Sequence, residues 1–191
     1  WNQNQPLRYI GIDFSVAALH AAQDTTSDAL KHVDRLFSGR ISGPTPVSQQ
    51  WVRGRSVETL PFADHSFDRI VANLSLSFSR SPLHALRELF RVLRPGGKLI
   101  VSAITPLADM APPYRSSLQE LGIDAFSGDA RLALNRMAQC CVALRVGQLH
   151  AFQEESLSAA LAQVTSTPAR LVRTFSGQIL VALAEKPDSA G

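Results

Sequence analysis

The chain has 191 residues, 45% of them hydrophobic and 18% charged, so it is long enough to bury a sizeable core. Its formal net charge of +3 comes from basic residues scattered along the chain, without the dense run typical of a nucleic-acid surface. No apolar stretch approaches the roughly 18 residues of a membrane span. No signal peptide is visible, and two adjacent cysteines do not indicate a disulfide framework. We therefore expect a cytoplasmic protein without a nucleic-acid or membrane partner.

The first third of the chain alternates strand and helix patterns. Residues 9–12 form a short apolar run that ends in Asp13, which is typical of a buried strand. Ser15 stands where it can cap a following helix. Segment 24–47 is polar with two glycines and two prolines, and predicts the end of that helix followed by a loop. Further strands are predicted at 50–53 and 67–72.

The next segment predicts a helix followed by a strand. Ser81 followed by Pro82 indicates a helix start, and Pro95-Gly-Gly97 is predicted to end the helix and turn the chain into a strand at 98–103. The helix presents one apolar face formed by Leu83, Leu86, Phe90 and Leu93. We expect the opposite face, with Arg87, Glu88 and Arg91, to be solvated.

The last third adds two helices and a hairpin. Segment 115–148 has helical periodicity, and residues 156–164 predict a shorter helix with Leu157 and Leu161 facing inward. Two β-rich runs, 170–175 and 179–184, predict an antiparallel hairpin. The whole pattern predicts an α/β fold, a mostly parallel sheet with helices on both faces and an antiparallel edge. The residues expected to face inward in segment 115–148 are Leu132, Met137, Cys140 and Leu144.

Asp13 is the first candidate for binding chemistry. It lies at the carboxyl end of a predicted strand, where ligands bind in open α/β sheets. A carboxylate there can accept two hydrogen bonds from a ribose diol, or it can simply initiate the next helix. The residue pattern alone leaves both readings open.

Three motifs occur in order: Tyr-Ile-Gly-Ile-Asp-Phe-Ser15, Leu-Pro-Phe-Ala-Asp-His-Ser-Phe-Asp68, and Leu-Arg-Glu-Leu-Phe-Arg-Val-Leu-Arg-Pro-Gly-Gly97. Together they resemble class I S-adenosylmethionine-dependent methyltransferases of the type that includes the ubiquinone/menaquinone C-methyltransferases. The resemblance implies a Rossmann-like methyltransferase fold over a single domain, residues 1–191. In that domain, 1–105 form the cofactor-side half, 106–149 a cap insert, and 150–191 the C-terminal helix and hairpin.

The resemblance also implies S-adenosylmethionine as cofactor and a role for each matching residue. Asp13 would hold the ribose hydroxyls and Phe14 would flank the adenosine. Ser56 stands where the family often has an acidic residue that accepts from the adenine amine, and Val57 would offer its backbone N–H to the ring. Asn73 and Leu74 would line the methionine end.

We expect no catalytic acid or base and no metal. The five histidines show no metal-ligand spacing, and no Ser/His/Asp arrangement stands out. A sulfonium is already an activated leaving group, so positioning and desolvation can suffice for methyl transfer. His150 is a minor candidate for a substrate contact.

The family pattern requires a first strand and a Gly-rich loop upstream of residues 8–13, and neither is found in this sequence. In the family's sheet that strand lies between those at 8–13 and 67–72. Its absence implies an N-terminally truncated domain, completion of the sheet by a strand swap or homodimer, or degeneration to a non-catalytic fold. We expect this chain alone to bind S-adenosylmethionine poorly or not at all.

Two functions remain open. The first is methyl transfer to a small molecule or a carrier-bound acyl group, since residues 72–77 and 85–92 also resemble malonyl-carrier-protein methyltransferases. The alternative is a non-catalytic methyltransferase-like module with a regulatory or assembly role. A nicotinamide-dependent dehydrogenase is disfavoured by the second and third motifs. Residues of the cap either line an apolar substrate pocket or pack the insert onto the sheet: Met110, Pro112, Pro113, Tyr114 and Phe126.

Overall fold

The computed structural model describes residues 7–37, 47–109, 111, 112, 115, 116, 119 and 128–188. The elements in chain order are β1 (Leu7–Asp13), α1 (Val16–Phe37), β2 (Val47–Arg53), β3 (Phe67–Ala72), α2 (Ser75–Phe78), α3 (Pro82–Val92), β4 (Leu93–Ile104), α4 (Gly128–Arg145), α5 (Glu154–Ala162), β5 (Arg170–Thr174) and β6 (Ile179–Glu185).

Two compact units make up the chain, Trp1–Ser56 and Val57–Gly191. In the first, β1 and β2 pair in parallel from Leu7 opposite Val47 to Asp13 opposite Arg53. Helix α1 connects the two strands and packs on both. The helix continues to Phe37, which lies within the segment 24–47 predicted to contain the helix end, and the predicted loop at 38–46 lies outside the described residues. The polar residues of 24–37 form further helical turns because polarity alone does not stop a helix and none of them is Gly or Pro.

The second unit contains a four-stranded sheet in the order β3-β4-β6-β5. Strands β3 and β4 are parallel, whereas β6 runs antiparallel to both β4 and β5. One face of this sheet is buried, and it includes Leu99, Val101 and Leu180. Helix α3 packs against β4 and α5, and the predicted hairpin and the inward-facing Leu157 and Leu161 of α5 are confirmed.

The four-stranded sheet is therefore a mixed sheet, in which the two C-terminal strands pair in antiparallel fashion. The described strands form two sheets, β1-β2 and β3-β4-β6-β5, where the sequence predicted one mostly parallel sheet. Within the described residues, β1 and β3 each have one edge that pairs with no strand. The prediction of one domain over 1–191, with a cap at 106–149, stays a prediction.

The junction between α3 and β4 differs in detail from the sequence prediction. The helix ends at Val92, and β4 begins at Leu93 and already contains Pro95-Gly-Gly97. At this helix end the Lys186 ammonium donates to the carbonyl oxygens of Phe90 (2.5 Å) and Leu93 (2.8 Å), which satisfies them. Gly96 has a φ of 67°, a left-handed conformation that favours glycine.

The C-terminal half of helix α4 packs on the core. Cys141 and Leu144 are buried in a cluster with Ile104 and Ala108, and Cys140 packs against that cluster. Leu132 is 49% exposed, so the prediction that it faces inward was wrong. The side chain of Met137 lies outside the described part of the structure, as do Met110, Pro113, Tyr114 and Phe126 of the predicted cap pocket.

Candidate functional site

The turn after β1 holds Asp13 in a defined orientation. Asp13 is half-buried, and its Oδ1 accepts the backbone N–H of Ser15 at 2.8 Å. The Ser15 hydroxyl oxygen accepts the N–H of Ala18 at 3.2 Å, which confirms Ser15 as the cap of α1. A carboxylate offers about four acceptor positions. The bond to Ser15 therefore leaves Asp13 able to accept further hydrogen bonds from a ligand diol.

The close approach of the Trp51 indole to β1 explains the glycine in this strand. Gly11 is buried opposite Trp51, and a Cβ on Gly11 would lie 2.3 Å from Cζ3 of the indole. Tyr9 contacts the same indole edge-on, with ring centroids 5.5 Å apart. The indole Nε1 is buried without a hydrogen-bond partner among the described residues. Glycine at position 11 is needed because the indole occupies the space of its side chain.

Phe14 and Ser56 lie on the loops that follow β1 and β2. The Phe14 side chain is 65% exposed, which leaves its ring free to contact a ligand. The Gly54 N–H donates to the Asp13 carbonyl at 2.9 Å, so the loop after β2 begins beside Asp13. Ser56 is half-buried in that loop. The first unit thus holds three of the six predicted cofactor residues at the carboxyl ends of its two strands.

The end of β3 holds two of the other three. The Ser102 hydroxyl donates to Asn73 Oδ1 at 2.6 Å, and its oxygen accepts the Leu74 N–H at 2.9 Å. Leu74 has a φ of 54°, a left-handed conformation that costs about 1–3 kcal/mol in a residue with a side chain. Ser102 of β4 therefore fixes the turn that presents Asn73 and Leu74, one residue before α2.

A backbone contact brings His150 to the same end of the sheet. The His150 N–H donates to the Ser77 carbonyl at 2.9 Å, and the buried Ser77 hydroxyl accepts the Ile104 N–H at 3.3 Å. The His150 residue itself is exposed. Its contact with a substrate stays a prediction.

Val57 begins the second unit, in a loop held by two glutamates. Glu58 Oε1 accepts the Ser79 hydroxyl at 2.6 Å and the Ser81 N–H at 2.9 Å. Ser81 precedes α3 as predicted, but its side chain makes no capping bond. Glu88 Oε1 accepts the Leu60 N–H at 2.9 Å.

The prediction that Glu88 and Arg91 form a solvated helix face was wrong. The Glu88 side chain is only 12% exposed and is bonded through both carboxylate oxygens to Arg91, at 2.7 and 2.8 Å. The hydrogen bond from Arg91 lowers the pKa of Glu88, against the opposing effect of burial. The bonds to Glu88 and Asp64 in turn raise the pKa of Arg91.

Sequence reasoning missed Ser102, Glu58 and Glu88 as residues that organise the site. Ser102 had a visible signal, since it is the single polar residue between Leu99 and Ile104 in an apolar strand. The spacing of Glu88 and Arg91 also indicates a helical ion pair. Their attachment to a distant loop becomes visible only in the folded chain.

The family follows from comparison with known proteins. A family model described as a methyltransferase domain matches residues 1–101, just over half of the chain. The chain belongs to the class I S-adenosylmethionine-dependent methyltransferase family. A second methyltransferase-domain model matches residues 52–156. The predicted resemblance is confirmed.

Curated relatives match this methyltransferase domain over short stretches. The malonyl-(acyl-carrier protein) O-methyltransferase of Erwinia pyrifoliae is 51% identical over 49 residues, which is 26% of this chain and 19% of that protein. The ubiquinone/menaquinone biosynthesis C-methyltransferase of Roseobacter denitrificans is 43% identical over 80 residues, or 42% of this chain and 32% of that protein. The chain thus covers about a third or less of the length of these relatives.

Solved structures share the fold of the methyltransferase domain. A methyltransferase from Methanosarcina mazei is 16% identical with a TM-score of 0.52, and the match covers 99% of this chain and 95% of that one. A methyltransferase from Thermotoga maritima is 17% identical with a TM-score of 0.52, covering 93% of this chain and 72% of that one. These structures support an α/β methyltransferase fold. Among the described residues, no helix is long and apolar enough to cross a membrane.

Proposed function

We propose that the chain binds S-adenosylmethionine and transfers its methyl group to a small molecule or a carrier-bound acyl group. The observation that carries this proposal is Asp13, a half-buried carboxylate with spare acceptor capacity at the carboxyl end of β1. Phe14, exposed beside it, offers a ring for contact with adenosine. Asp13 holds the ribose hydroxyls, Ser56 and the Val57 N–H meet the adenine edge, and Asn73 and Leu74 line the methionine end.

Methyl transfer from a sulfonium requires the protein mainly to position the two reactants. The cofactor supplies a methyl group on a sulfonium, which is already a good leaving group, so no residue has to activate it. The chain's residues bind, orient and exclude water, which are the effects that bring two reactants into line. The acceptor class follows the names of the two curated relatives, one for a carrier protein and one for quinone biosynthesis.

We propose further that the complete cofactor site needs a strand and Gly-rich loop in addition to the described residues. The support is the division of the strands into two sheets, with an open edge on β1 and another on β3. Rows of unpaired backbone groups are unfavourable, and an added strand would satisfy such an edge. It comes either from a segment preceding these residues in the native protein or from a second copy by strand exchange.

A second candidate function is a non-catalytic methyltransferase-like module with a regulatory or assembly role. The observation that favours it is Ser56. A hydroxyl at the adenine edge accepts a weaker hydrogen bond than a carboxylate does.

Calorimetry with S-adenosylmethionine tests the proposal on this chain and on a version extended upstream in its gene. We expect the extended form to bind, this chain to bind weakly, and Asp13→Ala to abolish binding. Asp24→Ala, which removes an exposed carboxylate from α1, is the matched control and leaves binding unchanged. Absence of binding by both forms refutes cofactor use and favours the non-catalytic module. Micromolar binding by this chain alone refutes the need for an added strand.

A further inference from the structure

The loop between β2 and β3 is fastened to α3 at two separate points. At its start, Glu58 accepts hydrogen bonds from the Ser79 hydroxyl and the Ser81 N–H, just before α3 begins. Ser79 is buried, so this bond is shielded from water. The residue that precedes Glu58 is Val57, whose N–H is assigned above to the adenine edge.

The second point of attachment lies in the middle of α3. Glu88 accepts the N–H of Leu60 at 2.9 Å, and Arg91 donates to the carbonyl of the same residue at 3.3 Å. Arg91 also binds Asp64, at 2.6 Å. Both backbone polar groups of Leu60 are therefore held by one ion pair on the helix.

The loop's far end is also held by two backbone bonds. The His65 N–H donates to the Arg91 carbonyl at 3.1 Å, and the Ser66 N–H donates to the Val92 carbonyl at 2.8 Å. These bonds do not depend on any side chain. Removing a glutamate would therefore loosen residues 57–60 while leaving the start of β3 in place.

We propose that Glu58 and Glu88 are positioning residues for the cofactor, because they hold the Val57 N–H where the adenine edge binds. This inference rests on the proposed cofactor function and deepens it. A loop that is already ordered loses little conformational entropy on binding, whereas a loosened loop must be ordered by the ligand. We expect loss of either glutamate to weaken binding about tenfold, which corresponds to ordering roughly one further residue.

The test uses two ligands that differ at one end. S-adenosylhomocysteine carries adenosine and the amino-acid end, whereas methylthioadenosine carries adenosine alone. In the form of the protein that binds cofactor, we expect Glu58→Gln and Glu88→Gln to weaken both ligands by the same factor. Asn73→Ala, at the methionine end, weakens only S-adenosylhomocysteine. Glu154→Gln is the matched control, because it breaks an exposed ion pair of 3.4 Å with Arg173 that lies outside the loop.

Hydrogen exchange separates positioning from general destabilisation. In the unliganded glutamate variants we expect faster exchange at the amides of residues 57–60, with β4 still protected and protection at 57–60 restored by methylthioadenosine. If Glu88→Gln fails to fold, Glu58→Gln carries the same test. Unchanged affinity of both glutamate variants overturns the inference while cofactor binding by the wild type stands. Wild-type protein that binds neither ligand overturns the inference together with the proposed function.

Discussion

Replacing Gly11 by alanine tests the packing that supports the candidate ribose-binding strand. The added Cβ would lie 2.3 and 2.4 Å from Cζ3 and Cε3 of Trp51. Ordinary contacts between carbon atoms are about 3.5–4.0 Å, so the indole or the strand has to move by more than about 1 Å. The register opposes such a movement, because Gly11 and Trp51 are direct partners in the β1-β2 pair. We expect Gly11→Ala to lower the free energy of unfolding by about 1–3 kcal/mol, as overpacking typically does.

Urea and thermal unfolding of the purified chain measure the effect. For a chain of this size, each kcal/mol lowers the melting temperature by about 2–4 °C. Gly54→Ala is the matched control, in the same unit. Its Cβ would meet only the Ile12 side chain, at 2.8 Å from Cδ1 and 2.9 Å from Cγ1. That side chain can rotate away, so we expect a loss of less than about 1 kcal/mol.

A double-mutant cycle identifies the cause of the destabilisation. Trp51→Leu removes the ring atoms that a Cβ on Gly11 would meet. In that background we expect Gly11→Ala to lower the free energy of unfolding by much less than in the wild type. The difference between the two losses, which is the coupling energy, should exceed about 0.5 kcal/mol. Equal losses for Gly11→Ala and Gly54→Ala, or an undiminished loss in the Trp51→Leu background, would refute the clash as the explanation.

Three further predictions concern single side chains of the second unit. Ser102→Ala removes the hydroxyl that bonds the Leu74 N–H and the Asn73 side chain. We expect it to lower the free energy of unfolding, measured in urea, by about 1–3 kcal/mol. An unchanged urea midpoint would contradict this. Because the hydrogen bond from Arg91 lowers the pKa of Glu88, the stabilisation from this pair is complete above the ordinary glutamate pKa of about 4.5 and is lost as the pH falls through the lowered pKa. We therefore expect Glu88→Gln to lose less stability than the wild type when the pH is lowered below about 4.5. Acid unfolding curves that do not differ between the two proteins would contradict this. Burial raises the pKa of the Cys141 thiol. We therefore expect a thiol reagent to label Cys141 more slowly than Cys140 in the folded protein and at a similar rate in urea. Equal labelling rates in the folded protein would contradict this.

Local signals in the sequence predicted the elements well where they were strong. The strand predicted at 67–72 has the bounds of β3, and Ser15 caps α1 as expected. Errors arose where two signals competed. Pro95-Gly-Gly97 was predicted to end the helix, but the helix already ends at Val92, where Lys186, about ninety residues away in the chain, donates to the carbonyl oxygens of Phe90 and Leu93. Neither its position nor its bonds can be read from the helix itself.

The candidate site was likewise predicted only in part from the sequence. Asp13 was predicted from its place at the carboxyl end of a strand, where ligands bind in such sheets, whereas Phe14 and Asn73 followed from the family resemblance. The partners that hold the site were not predicted. Ser102 reaches Leu74 across 28 positions of sequence, and Glu88 reaches Leu60 across another 28. Such pairs depend on strand register and on the packing of a helix against its sheet.

The sequence by itself determined the family of this protein, the order of its strands along the chain, and the residues that end β1, β2 and β3. These depend on local spacing and composition, which are readable one segment at a time. Only the tertiary structure decided that the described strands divide into two sheets, that Glu88 and Arg91 hold a loop and do not simply face solvent, and that Trp51 covers Gly11. Each of these depends on contacts between residues distant in sequence, and the energy of such contacts exists only after the chain has brought them together.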